Sequence, residues 1–333
     1  MLISPRGGEG AVREKMLAIV APYFGTLPAH MQLWLNSCGS NPRVTWLLYT
    51  DDRTPWDYPD NVRVTYCTLD ELRKRFQERF DFQIALSNTR KLGDYKPLYG
   101  YLFEDELAGY HAWGHVDVGD VIYGDFSKFV TNELIDRYDR LGRLGHMTIY
   151  RNTLENNRRF MAESGAGFDY REVFSDPRFR NFEETAPGSI EKVWRNNGWT
   201  TGDIEECVAD IYESLWDFHI VRGYGTDHCE LCNNRCLVFE WDGGTLLGHE
   251  LGAEGEMVSR DYLYVHFKRR KMPMAEGLDP GHYLIAPGGF LPSPNDVDLA
   301  CVERRGKGRF PDPMRIAAKK VELRRRLRRR LGR

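Results

Sequence analysis

Three aspartates, two histidines and three glycines are packed into HAWGHVDVGDVIYGDF, residues 111–126. Asp and Gly are poor strand residues, yet here they adjoin His-Ala-Trp on one side and Val-Ile-Tyr on the other. The pattern is that of a buried strand that stops abruptly and turns its carboxylates out of the sheet. Asp117 and Asp120, within one turn of each other, can share a hard divalent cation such as Mn²⁺ or Mg²⁺ and leave positions open for phosphate oxygens. Aspartates at such a place also cap turns and face water, so the pair has a structural reading beside the chemical one.

Other residues suit the same chemistry. Lys268, Arg269 and Arg270 in YVHFKRR are three adjacent cations able to neutralise a departing diphosphate. DHCELCNNRC places Cys229, Cys232 and Cys236 at C-x2-C-x3-C spacing, which allows a structural zinc with Cys207 or His228 as fourth ligand. No second CxxC completes a zinc set, and the same cysteines fall on one face of a helix, so small buried thiols are the preferred reading.

The elements that must position these groups follow from hydrophobic patterning. MLAIVAPYFG (16–25) reads as a buried strand and LPAHMQLWLNSCGSNP as a helix. VTWLLYTDD (44–52) reads as a second strand ending in acid, and NVRVTYCT (61–68) as a third. Thr68 and Glu71 form a capping box for LDELRKRFQERF. KLGDYKPLYGYLFEDELAGY (91–110) reads as a helix capped by Asp94, with Pro97 in its first turn. Residues 127–162 suggest a helix, the strand GHMTIY and another helix from Asn152; 163–225 are aromatic and irregular, as in an acceptor-side insertion; DYLYVHFKRRKM (261–272) reads as a late strand. Strands alternating with helices predict an α/β fold with a mostly parallel, doubly wound sheet, in which ligands bind beyond the strands' carboxyl ends. Asp51, Asp52, Asp117 and Asp120 all fall at such ends.

PYFG, NSCGSNPRVTWLLYTDD, KLGDYKPLYG, WGHVDVGDVIYGD, LGHMTIYRN and YVHFKRR occur in the order seen in bacterial GT-A-type glycosyltransferase-like proteins of polysaccharide biosynthesis. The chain resembles that family over roughly residues 16–272. In it the strand usually ends in Asp-x-Asp, whereas this chain reads Asp117-Val-Gly-Asp120, which leaves open which carboxylate binds metal and whether Asp125 helps. The resemblance implies a GT-A-like fold, a nucleotide-sugar donor and Mn²⁺ or Mg²⁺. It implies that Pro22, Tyr23, Thr50 and Asp51 line the base and ribose pocket, that Lys91 and Asp94 grip the nucleotide, and that His266 is a third metal ligand. Lys268 and Arg269 then face the diphosphate. For an inverting transfer, Asp227 and Glu230 are candidate bases for the acceptor hydroxyl, and His146 is placed to contact donor sugar or acceptor. Tyr23 fits independently, since an aromatic face stacks a base.

Bulk properties narrow the classes. Hydrophobic residues at 41% and aromatics at 13% exclude a disordered chain, and no apolar run approaches the roughly 20 residues of a membrane span. The first fifteen residues lack the apolar centre of a signal peptide and read as an N-terminal extension, which predicts a cytoplasmic protein. Seven scattered cysteines argue against a disulfide framework. Net charge is −3, but residues 319–333 hold nine Lys/Arg against one Glu, leaving −11 on the rest. The expected organisation is a catalytic domain at 16–272, a C-terminal extension at 273–314 and a basic amphipathic tail at 315–333. Such a tail suits an anionic membrane surface and hence a polysaccharide or lipid-linked acceptor. The acidic body and a tail without aromatics argue against nucleic acid.

Two rivals are drawn from the same residues. GHVDV resembles the zinc-binding strand of dizinc aminoacylase/carboxypeptidase-type hydrolases, with Glu183-Glu184 downstream as the acid pair, although GRLGHMT lacks their bridging Asp. A non-catalytic sugar-nucleotide-binding module is the other. Dinucleotide oxidoreductases and P-loop NTPases are set aside, because neither Gly-rich phosphate loop is present.

Overall fold

The computed structural model describes residues 15–163, 165, 169–184, 186, 188–223 and 229–308. In chain order the strands are β1 (Lys15–Tyr23), β2 (Val44–Thr50), β3 (Val62–Tyr66), β4 (Tyr110–Val116), β5 (Val121–Tyr123), β6 (Arg140–Leu144), β7 (Met147–Arg151), β8 (Thr201–Gly202), β9 (Val208–Asp210), β10 (Val221–Arg222), β11 (Glu230–Leu231), β12 (Val238–Asp242), β13 (Thr245–Leu251), β14 (Met257–Asp261), β15 (Tyr264–His266), β16 (His282–Ala286) and β17 (Gly289–Pro292). A seven-stranded central sheet runs β3-β2-β1-β4-β7-β6-β8. Its first four strands are parallel, β7 is antiparallel to both β4 and β6, and β8 is parallel to β6. The expected α/β class with a mostly parallel central sheet is therefore the one observed.

β1 shows why the sequence folds this way. Leu17, Ile19 and Ala21 enter one core and Ala18 and Val20 the other, so both faces are buried and the strand reads as one apolar run. The first core takes in helix α1 (Met31–Gly39) through Trp34, which meets Trp46 of β2 edge to face at 5.7 Å. The second takes in helix α2 (Leu69–Gln77) through Leu72 and Phe76. Both halves of the α2 capping box form: the Thr68 side chain accepts from Glu71 N–H and the Glu71 carboxylate accepts from Thr68 N–H.

Three smaller sheets accompany it among the described residues, one of them the two-stranded β10–β11 ribbon. β15 lies between β5, antiparallel, and β9, parallel. An antiparallel sheet β14-β13-β12-β16-β17 packs its inner face, including Phe239, Trp241 and Tyr283, into the first core.

Several expectations are corrected here. Residues 91–110 are not one helix: Lys91–Leu98 is a 3₁₀ helix followed by a single α-turn, Tyr99–Leu102. Asp94 is no cap, since it is wholly buried and accepts N–H bonds from a distant segment. GHMTIY is the second arm of a hairpin with β6, and the region from Asn152 gives only a 3₁₀ helix at Asn156–Met161. DYLYVHFKRRKM divides between two sheets, with Asp261 ending β14 and Tyr264 starting β15. The boundary expected at 272 falls inside one sheet, because β16 pairs with β12. Within 163–225, β8 joins the central sheet and β9 the three-stranded one. The basic tail at 315–333 lies outside the described residues, among which no helix is long and apolar enough to cross a membrane.

Candidate functional site

β4 is buried from Ala112 to Val116 and delivers Asp117 just past its carboxyl end. The following turn is set by Gly119, whose φ of +84° favours glycine and whose Cβ would lie 2.5 Å from Pro28. Backbone bonds stitch this turn to two other elements. Asp117 N–H donates to the carbonyl of His146 in the β6–β7 turn (3.1 Å), and Phe267 N–H donates to the carbonyl of Asp120 (2.9 Å).

β15 places His266 opposite Asp210 of β9, in register. His266 Nδ1 bonds Asp210 Oδ1 at 2.9 Å, and Nε2 faces Asp117 Oδ2 at 3.7 Å. The second Asp210 oxygen pairs with Lys268 Nζ at 3.1 Å. The His146 ring stacks on His266 with centroids 4.0 Å apart, and its buried Nε2 has no hydrogen-bond partner. Lys96 Nζ pairs with Asp117 and donates to the Gly145 carbonyl at 3.0 Å.

These charges decide the protonation states. Burial would raise the Asp117 carboxyl, but Lys96 and His266 outweigh it and hold it at about 2. For Asp120 burial, aided by the negative charge of Asp117, outweighs the pull of His266, Lys96 and Arg269 and lifts it to about 6. Burial also drives His146 down to about 3, so its imidazole is neutral and its nitrogen lone pair free. Asp210 is pulled below its ordinary range despite burial, by the hydrogen bond from His266 and the Lys268 ammonium beside it.

Two adjoining cavities, of about 310 and 500 Å³, meet over Asp117 and Asp120. Tyr23, Lys96 and Tyr99 wall the smaller; His146, Asp210, His266 and Lys268 wall the larger; Arg90, Phe179, Glu183 and Arg269 line both.

The donor set fits a divalent cation. His146, Asp210 and His266 form a group, found among the described residues, whose ligand atoms lie within 4.8 Å of one another. Asp210 already spends one oxygen on His266 and the other on Lys268, the arrangement of a carboxylate that orients a ligating histidine from behind. His266 Nε2 with Asp117 and Asp120 would then hold the cation directly, with the orphaned His146 Nε2 alongside.

The expected site residues therefore separate. Asp117, Asp120, His266 and His146 converge, and Pro22, Tyr23 and Arg269 line the same space. Thr50 does not: it is wholly buried and its hydroxyl accepts from Asp52 N–H. Asp51 accepts from Gly25 N–H at 2.7 Å, bracing the loop after β1, and lines neither of these two cavities. Lys91 and Asp94 are 0% exposed and paired with each other at 2.8 Å, so neither reaches a nucleotide. Lys268 lines the larger cavity but is committed to Asp210, and Arg270 donates to the carbonyls of Leu215 and Trp216. Glu230 is exposed on the β10–β11 ribbon, and Asp227 and His228 lie outside the described residues. Cys229–Cys236 form no helix, and no cysteine joins a metal-holding group among the described residues. His115 of GHVDV is buried in β4 with neither ring nitrogen partnered, outside the His/Asp group. Sequence reasoning missed Arg90 and the pairing roles of Lys96 and Asp210. Lys96 stands in KLGDYKP, whereas nothing around Asp210 distinguishes it.

A family model described as "Family of unknown function (DUF6625)" matches residues 19–294. The chain belongs to this family. No curated protein matches this DUF6625 member. Among solved structures, mouse xyloside xylosyltransferase 1 in its apo form is similar over 59% of this chain and 88% of that chain, with 6% identity and a TM-score of 0.31. That superposition is too loose to match residues between the two.

Proposed function

We propose that this DUF6625 protein is a GT-A-like glycosyltransferase that uses a divalent cation, Mn²⁺ or Mg²⁺, and a nucleotide-diphosphate sugar. Its acceptor is a glycan or lipid-linked oligosaccharide of polysaccharide biosynthesis, met at the cytoplasmic membrane face. One observation carries the reading: Asp117, Asp120 and His266 converge at the carboxyl end of a central strand, in a cleft whose other walls supply Tyr23, Arg90 and Arg269. A cation held there would offset the charge gathering on a departing diphosphate. Arg90 and Arg269 flank the carboxylates and suit the outer phosphate oxygens. Tyr23 offers an aromatic face for the base. Lys96 keeps Asp117 ionised, and Asp210 fixes His266 with Nε2 turned toward Asp117.

The test is a thermal-shift panel of UDP-, GDP-, dTDP- and CMP-sugars with and without Mn²⁺, followed by assay of donor hydrolysis. Stabilisation that needs both nucleotide sugar and Mn²⁺, with slow donor hydrolysis, supports the reading. Binding without any turnover would make the protein a sugar-nucleotide-binding module. Stabilisation by Zn²⁺ and N-acyl amino acids, with none by nucleotides, would make it a hydrolase.

A further inference from the structure

Lys91 and Asp94 of KLGDYKP have no ligand-binding role in the site as described, since both are sealed in the core. The hydrogen bonds of these two side chains share one destination. Asp94 accepts from Arg180 N–H (2.9 Å) and Phe182 N–H (2.8 Å), while Lys91 Nζ donates to the carbonyls of Val173 (2.7 Å) and Arg178 (3.1 Å). The buried pair thus fastens the segment that ends in Glu183. Gly93 makes room for that residue, because a Cβ there would lie 2.8 Å from Glu183 Oε1, and Gly145 does the same across the cleft, 2.9 Å from Glu183 Cγ. Lys96 faces it electrostatically. Glu183 itself is 7% exposed, lines both cavities and has one oxygen, Oε2, without a hydrogen-bond partner. An unpartnered buried carboxyl oxygen costs stability and persists where something else uses it.

From this geometry we infer that Glu183 is the catalytic base of the transfer and that KLGDYKP is the cradle that aims it. The inference rests on the glycosyltransferase reading. The proton of the acceptor hydroxyl passes to Glu183 Oε2 as the acceptor oxygen bonds to the anomeric carbon. The bond from that carbon to the diphosphate oxygen breaks, and its electron pair leaves with the diphosphate. A single displacement of this kind inverts the anomeric configuration. Burial raises the carboxyl to about 8 against the pull of Lys96, close to an operating pH, where a base is most effective.

The experiment uses the full chain with Mn²⁺ and whichever sugar of the same panel gives the largest shift. E183Q preserves shape and should keep the donor-dependent thermal shift and the Mn²⁺ affinity within about threefold. Its turnover should fall by about 10²–10⁴-fold, with E183D retaining more than E183Q. The wild-type product, read by NMR, should be inverted. Turnover in E183Q within tenfold of wild type, a retained configuration, or loss of the donor shift together with turnover would each overturn the assignment. Failure of the broader reading looks different: wild-type protein would then show no shift with any nucleotide sugar.

Discussion

Asp210 has both oxygens engaged by protein, one by His266 and one by Lys268, and that makes its function measurable. A residue that orients a ligand from behind weakens metal binding without abolishing it. D210N should raise the Mn²⁺ dissociation constant by about 10–100-fold, whereas H266A should eliminate binding detectable by electron paramagnetic resonance. Wild-type affinity in D210N would show that His266 needs no partner. Glu183 carries a second residue-scale consequence. Its carboxyl stands at about 8 in the folded protein against an ordinary 4.5, through burial opposed by Lys96 and assisted by Asp94 and Glu184. The folded state therefore binds the extra proton between those values, so the contribution is complete below 4.5 and is lost as pH rises through 8. With no divalent cation present, wild-type protein should lose thermal stability relative to E183Q between pH 6 and 9, as a melting series would record. Parallel curves for the two proteins would mean that Glu183 is ionised in the fold.

At the scale of elements, the structure separates what local sequence carries from what it does not. β1, β2 and β4 were legible as dense apolar runs, two of them ending in acid, and β3 by its alternation; Thr68 with Glu71 is a capping signal complete within four residues. Asp117 and Asp120 were legible for the same reason. Asp94 was not, since its neighbours look like the start of an α-helix while its partners, Arg180 and Phe182, lie more than eighty residues away. The antiparallel sheet was hidden differently. Asp242-Gly243-Gly244 and Pro287-Gly288-Gly289 punctuate hairpins, but no local pattern says that β12 pairs with β16 across some forty residues. The Lys91–Asp94 pair makes this long-range dependence testable. Removing one member leaves a charge buried and alone, so K91M should cost about 3–5 kcal/mol, while K91M/D94N should recover part of that. Urea unfolding of the three proteins checks it, and a K91M within 1 kcal/mol of wild type would mean water reaches Asp94.

On the scale of the whole molecule, the antiparallel sheet, the chain entering β15 and the α1–β2 loop meet at Gly124. Its N–H donates to the carbonyl of Leu263 (2.8 Å), its own carbonyl accepts from Asn41 Nδ2 (2.9 Å), and beside it the Tyr123 carbonyl accepts from Trp241 Nε1 (2.9 Å). A Cβ at this position would lie 2.4 Å from the backbone carbonyl oxygen of Tyr262 and 2.9 Å from Leu246 Cβ. A flexible side chain could swing aside, but a backbone carbonyl can yield only if the chain bearing it, the link from β14 to β15, moves. The chain from Tyr262 runs directly into β15 and His266, so any displacement is transmitted to the candidate cation site. G124A should therefore destabilise the protein by about 1–3 kcal/mol, the range for an overfilled core, and also weaken Mn²⁺ binding although residue 124 is no ligand. Measured together by urea unfolding and Mn²⁺ titration, the two losses should appear in the same variant. Loss of stability with unchanged Mn²⁺ affinity would show that β15 is held by β5 and β9 alone, and that the antiparallel sheet does not help place His266.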